Sequence, residues 1–210
     1  TNTLTTFLPP VITLLHYFLF AVQSAPTRSF DAPLAFTEAA ERAKTLVQII
    51  LRDISTVHAA TINTEGLTLE NSAHTTNLQM MATSLGLPAA PVLKPPSEHF
   101  TLDICVSRMW VGSRLYQGLL GVLSDRLSGL DDLRADLRDL LTQINKMKEA
   151  ASLDGGVLDQ KLELASRLHG NYEVQVATHL TLTQLRSFCH DLMRSLRAVA
   201  TYRPRAAAAR

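Results

Sequence analysis

The side chains from which chemistry could be built here are seven histidines, two cysteines and a spread of carboxylates, in a chain of 210 residues. His16, His58, His74, His99, His169, His179 and His190 are dispersed, with no H-x-x-x-H pair and no cysteine spacing suited to zinc. No metal site is expected. Cys189 and His190 juxtapose a thiol and an imidazole, but consecutive helical residues project about 100° apart, too far to pair as nucleophile and base. Asp136 and Asp139 share a helix face by their spacing and could serve as acid and base, although the same spacing describes a solvated surface. No G-x-S-x-G elbow, glycine-rich phosphate loop or Walker sequence occurs. The expectation is a protein without catalytic residues or a cofactor.

Composition narrows the class further. The formal net charge of +1 provides no large field for nucleic acid, and the basic end of the chain, Arg203, Arg205 and Arg210, reads as a solvated, disordered tail over 203–210. An apolar run over 11–22, followed by Gln23, Ser24, Ala25 and Pro26, is too short for a membrane span. It has the apolar core and small flanking residues of a secretory signal peptide, and Pro9-Pro10 and Pro26 cut it off from its neighbours. Residues 1–25 are therefore expected to be removed, leaving a domain over 26–202 that is secreted, extracellular and without membrane insertion. With only Cys105 and Cys189, the fold cannot be stapled by many disulfides and must rest on packing.

The rest of the chain has apolar residues at helical spacing, interrupted by clustered Gly and Pro. A first helix is predicted over 33–60, with Asp31 as cap, Pro33 in the first turn and a stripe of Ala39, Ala43, Leu46, Ile50, Ile54 and Val57. Glu38, Glu41, Lys44, Gln48 and Arg52 fall largely outside that stripe. A shorter amphipathic piece over 74–85 sits in the long connection that follows. Ser97 is expected to cap a second main helix that ends near Gly129, with Leu102, Cys105, Met109, Tyr116, Leu119, Leu123 and Leu127 inward. A third helix follows closely through Leu130, Leu133, Leu137, Leu140, Ile144 and Met147, with acids crowding its first half as the helix dipole favours. After a break over 152–156 and an intermediate helical stretch over 158–168, the last helix is predicted over 172–200, turning Leu182, Leu185, Phe188, Leu192, Leu196 and Val199 inward. Connections that run long, short, long describe an all-α, up-up-down-down four-helix bundle.

Particular strings then resemble a family. Residues 84–91, SLGLPAAP, followed by Pro96-Ser97 and by LYQGLL over 115–120, are similar to the first connection and second helix of the granulocyte colony-stimulating factor family. Leu130-Asp131 through Asp136, Asp139 and Ile144 resembles the third helix of that family, and VQVATHL over 174–180 resembles the start of the fourth. The resemblance implies a ligand that binds and brings together class I cytokine receptor ectodomains, acting on granulocyte-lineage cells and monomeric before it binds. It also implies a main receptor face made of third-helix acids, Asp136 and Asp139, with first-helix positions Glu41, Arg42, Lys44 and Gln48. A second contact would lie on the short helix at Asn77, which stands where the family has a glutamate, and Met80. The family's two disulfides cannot form, because the partner position of Cys105 is Pro95 and the other pair falls near Leu67 and Ala73. Both thiols are thus expected to be buried and reduced. Another interleukin-six-like helical cytokine, and a secreted helical carrier of apolar ligands, remain alternative readings.

Overall fold

A computed structural model describes residues 32–69, 75–89, 91–97, 99–153 and 162–201, so the apolar run, Asp31 and the basic tail lie outside the described residues. Its elements in chain order are α1 (Ala32–Thr61), α2 (Thr75–Ser84), α3 (Leu102–Ser124), α4 (Asp131–Ala150), a 3-10 turn (Leu164–Arg167) and α5 (Asn171–Thr201). The described residues are all-helical, as the sequence pattern implied.

Helix α1 buries more than the expected stripe. Ala39, Ala43, Ile50 and Ile54 are buried and Leu46 and Val57 partly so, while Ala40, Val47, His58 and Thr61 join the core as well. The physical reason is that α1 packs against both α4 and α5, so its buried arc must be wide enough for two neighbours. Helix α3 likewise packs against α4 and α5, which makes α1 and α3 one diagonal of the bundle and α4 and α5 the other.

Contacts along the seams give the directions. The end of α1 meets the start of α5 through His58 and His179, and Arg42 near the start of α1 shares a groove with Thr142 and Gln143 late in α4. Mid-helix Gly112 and Tyr116 of α3 meet Phe188 in the middle of α5, and the short link between α3 and α4 makes those two helices antiparallel. Every neighbouring pair is therefore antiparallel and α1 runs with α3, the up-up-down-down topology. Tyr116, Ile50, Ile54, Met109, Leu119, Leu120, Leu123, Leu133, Leu137, Leu140 and Ile144 are fully buried and fill the centre.

The boundaries differ from the sequence reading in three places. Thr101, not Ser97, caps α3, its hydroxyl accepting from the Ile104 amide at 3.4 Å, while Ser97 pairs with Phe100 in a turn. Helix α3 stops at Ser124, short of Gly129, which takes a left-handed φ of 94° that leads the chain into α4. The expected helical stretch over 158–168 is, among the described residues, a single 3-10 turn at Leu164–Arg167. Side chains tie down the long connections. Arg108 donates to the Val92 carbonyl at 3.0 Å, Arg167 to the Ser84 carbonyl at 2.9 Å, and the Cys105 thiol to the Lys94 carbonyl at 3.4 Å, next to Pro95. Both cysteines are buried and free.

Candidate functional site

Helices α1 and α4 present a charged surface along their shared seam. Leucines at 133, 137 and 140 turn one side of α4 into the core, so Asp132, Asp136 and Asp139 fall on other faces by the helix period. Asp139 is exposed and Asp136 half-buried. On α1, Arg42, Leu46 and Asp53 follow one flank at helical spacing, and Arg42, Thr45 and Leu46 line an open depression of about 360 Å³ with Asp139, Thr142 and Gln143. A second depression of about 810 Å³ continues it toward the start of α1, between Glu38 and Arg42 on one side and Gln143, Lys146 and Glu149 on the other. Gln143 borders both, and its buried side-chain oxygen has no hydrogen-bond partner.

Electrostatics distinguishes the patch from an ordinary solvated face. Burial, then Asp53 across the seam, then Asp139 and Asp132 on its own helix, hold the Asp136 carboxyl above its usual range, while Arg52 opposes them. Arg52 is itself engaged with Asp53, Nε to Oδ1 at 2.8 Å. Three carboxylates thus act on Asp136, and Arg52, which is affected by Asp53 and Asp136 but by neither Asp132 nor Asp139, offsets them only in part, leaving negative charge that a cationic partner would relieve.

The sequence-derived site residues divide between places. Arg42, Asp136 and Asp139 come together along the α1–α4 seam, with Arg42 also bonded to Glu38 at 2.5 Å. Glu41, Lys44 and Gln48 form a separate stripe of α1, roughly 150° around from the Arg42 flank by the helix period. Within that stripe Lys44 pairs with Glu41 at 2.7 Å. Asn77 and Met80 are exposed on α2, which packs against α5, the helix diagonal to α4. They form a surface apart from the acids, and Met80 is 63% exposed.

Sequence reasoning passed over Arg52, Asp53 and Gln143. Their signal was present in the spacing of Asp53 from Arg42 and Leu46, but it becomes readable only once α4 is known to lie against that flank. Among the described residues no group of three or more metal-ligating side chains gathers, and no helix is long and apolar enough to cross a membrane.

Comparison with known proteins agrees with the bundle. A family model described as granulocyte colony-stimulating factor matches residues 51–197, more than half of the chain. The human granulocyte colony-stimulating factor is 36% identical over 80 residues, 36% of this chain and 39% of that protein. The bovine protein is 35% identical over 75 residues, covering 34% and 38%, and the porcine one 29% over 131 residues, covering 60% and 67%. The matched segment thus spans about two fifths of the human and bovine relatives.

Proposed function

The chain belongs to the granulocyte colony-stimulating factor family, and from that membership we propose that it is a secreted cytokine that acts by bringing class I cytokine receptor chains together. The observation that carries this reading is the acidic seam, where Asp136 and Asp139 of α4 stand with Arg42 and Asp53 of α1 over a filled core. A rigid bundle that presents charge outward needs complementarity to a partner and no reacting group. Among the described residues the bundle interior is a continuous cluster of buried side chains, which counts against a carrier of apolar ligands.

In this reading Asp136, Asp139 and Arg42 form the centre of the main receptor contact, Glu41, Lys44 and Gln48 offer the receptor a separate stripe of α1, and Asn77 and Met80 make a further, smaller contact. Removal of residues 1–25 yields the extracellular, monomeric form, and granulocyte-lineage cells are the target. The acidic seam attracts basic receptor side chains, which speeds encounter and fixes orientation.

The test is binding of the secreted protein and of its Asp136→Ala/Asp139→Ala variant to a soluble ectodomain of the granulocyte colony-stimulating factor receptor. Exposed charges contribute about 0–1 kcal/mol to folding, and those around Asp136 repel it, so the variant should melt like the parent or slightly higher. Truncating charges buried on docking costs about 2–5 kcal/mol, a loss of at least tenfold in affinity. A folded double variant that binds and signals like the parent would remove the assignment of this face.

A further inference from the structure

At the seam between α1 and α5, away from the acids, two imidazoles are buried against each other. His58 is 7% exposed and His179 2%. Nε2 of His58 lies 2.9 Å from Nδ1 of His179, with ring centroids 5.2 Å apart and planes at 67°. One turn toward the end of α1, Gln175 of α5 donates to the Thr61 carbonyl at 3.0 Å and accepts from the Asn63 amide at 2.8 Å, so the same seam carries the cap of α1.

A hydrogen bond between two ring nitrogens needs one proton on the line that joins them. The neutral pair meets this in either of two ways, with His58 donating from Nε2 or His179 donating from Nδ1. Adding one proton keeps a donor and an acceptor but leaves a cation without a counter-charge inside the bundle. Adding the second sets two N–H groups against each other and replaces an attraction by like-charge repulsion.

Among the described residues no charged group is positioned to offset this. Arg52 and Asp53 of α1 and Asp132 and Asp136 of α4 belong to the other flank of α1. From α5 and the α3–α4 link the nearby groups are Gln175, Thr178 and Gly129, all uncharged, and no carboxylate, lysine or arginine of α3, α4 or α5 perturbs either ring.

We infer that His58 and His179 form an acid-sensitive latch, which holds the C-terminal end of α1 against α5 at neutral pH and releases it on acidification. The inference stands on the pair's geometry and is independent of the receptor reading. Burial holds both imidazoles below their usual range, and His179, with His58 beside it, is pushed down to about 4. In the unfolded chain a histidine titrates near 6.5, so between these values the unfolded state binds more protons than the folded one. The contribution is therefore complete above the unfolded value and is lost as pH falls toward the folded one. From His179 alone the ratio of folded to unfolded protein drops about 50-fold between pH 7 and pH 4.5.

The experiment is urea unfolding of the full chain at both pH values, for the parent and for His58→Gln and His179→Gln. His179→Gln should lose most of that 50-fold component, since glutamine bonds without titrating, and His58→Gln a smaller part, since His179 stays buried; unchanged acid sensitivity in both would overturn the latch. Because a variant could fail to fold, the parent alone also decides. Its His179 ring should titrate near pH 4 by NMR, with amide exchange over 54–62, corrected for intrinsic rates, accelerating over the same range. Titration of both rings near pH 6.5, or titration without faster exchange, would overturn it.

Discussion

Gly112 sits in the interior of α3, where a glycine ordinarily costs stability and alanine would be an improvement of about 1 kcal/mol. Substitution by alanine is expected to do the opposite. A Cβ at this position would lie 2.3 Å and 2.4 Å from two ring atoms of Phe188, on the facing α5. Ordinary carbon contacts are about 3.5–4.0 Å, so the ring or the helix must retreat by more than about 1 Å. Retreat is blocked, because Phe188 is buried and Tyr116 packs against it with ring centroids 5.3 Å apart. Overpacking costs about 1–3 kcal/mol, and two simultaneous overlaps with a stiff, enclosed ring put this site at the upper end. Set against the propensity gain, Gly112→Ala should lose about 2 kcal/mol. With a urea slope of about 2 kcal/mol/M the unfolding midpoint falls by about 1 M. Two other glycines of α3 supply the controls. At Gly118 the Cβ would meet only the Leu162 Cδ1 at 2.8 Å, the far end of a flexible side chain, and at Gly121 only the Arg134 guanidinium at 3.7 Å or more. Gly121→Ala should therefore stabilise by up to about 1 kcal/mol and Gly118→Ala should change little. A Gly112→Ala protein as stable as Gly121→Ala would refute the close α3–α5 approach.

Gln175→Ala leaves the Thr61 carbonyl and the Asn63 amide without their shared partner, and should cost about 1–3 kcal/mol in urea unfolding, whereas loss of under a few tenths would show that water replaces the amide. For the cysteines, burial raises the Cys105 thiol to about 11 and the Cys189 thiol to about 12, so neither should react with a thiol reagent at pH 8 in the folded state. Both should titrate after unfolding without reductant, and a count of zero would establish a disulfide between them.

Much of the bundle was legible in the chain because it rests on local chemistry. Helical spacing of Leu133, Leu137, Leu140 and Ile144 identifies a buried face whatever lies opposite, and Pro33 at the start of α1 and Gly86 after α2 act on backbone torsions within a few residues. Boundaries set by competition between neighbours were less legible. Ser97 and Thr101 are both competent caps, and the Ser97–Phe100 turn takes the first out of contention, so α3 begins at the second. The acids at 136 and 139 could be placed on a solvated face from their spacing, and the family resemblance marked them as a contact. That Asp53 stands across from Asp136 depends on which flank of α1 meets α4, and an amphipathic stripe does not encode its neighbour. The same holds for His58 and His179, which are 121 positions apart, and for Gly112 and Phe188. Each of these residues is unremarkable on its own helix, and its role arises from the side chain that antiparallel packing sets against it.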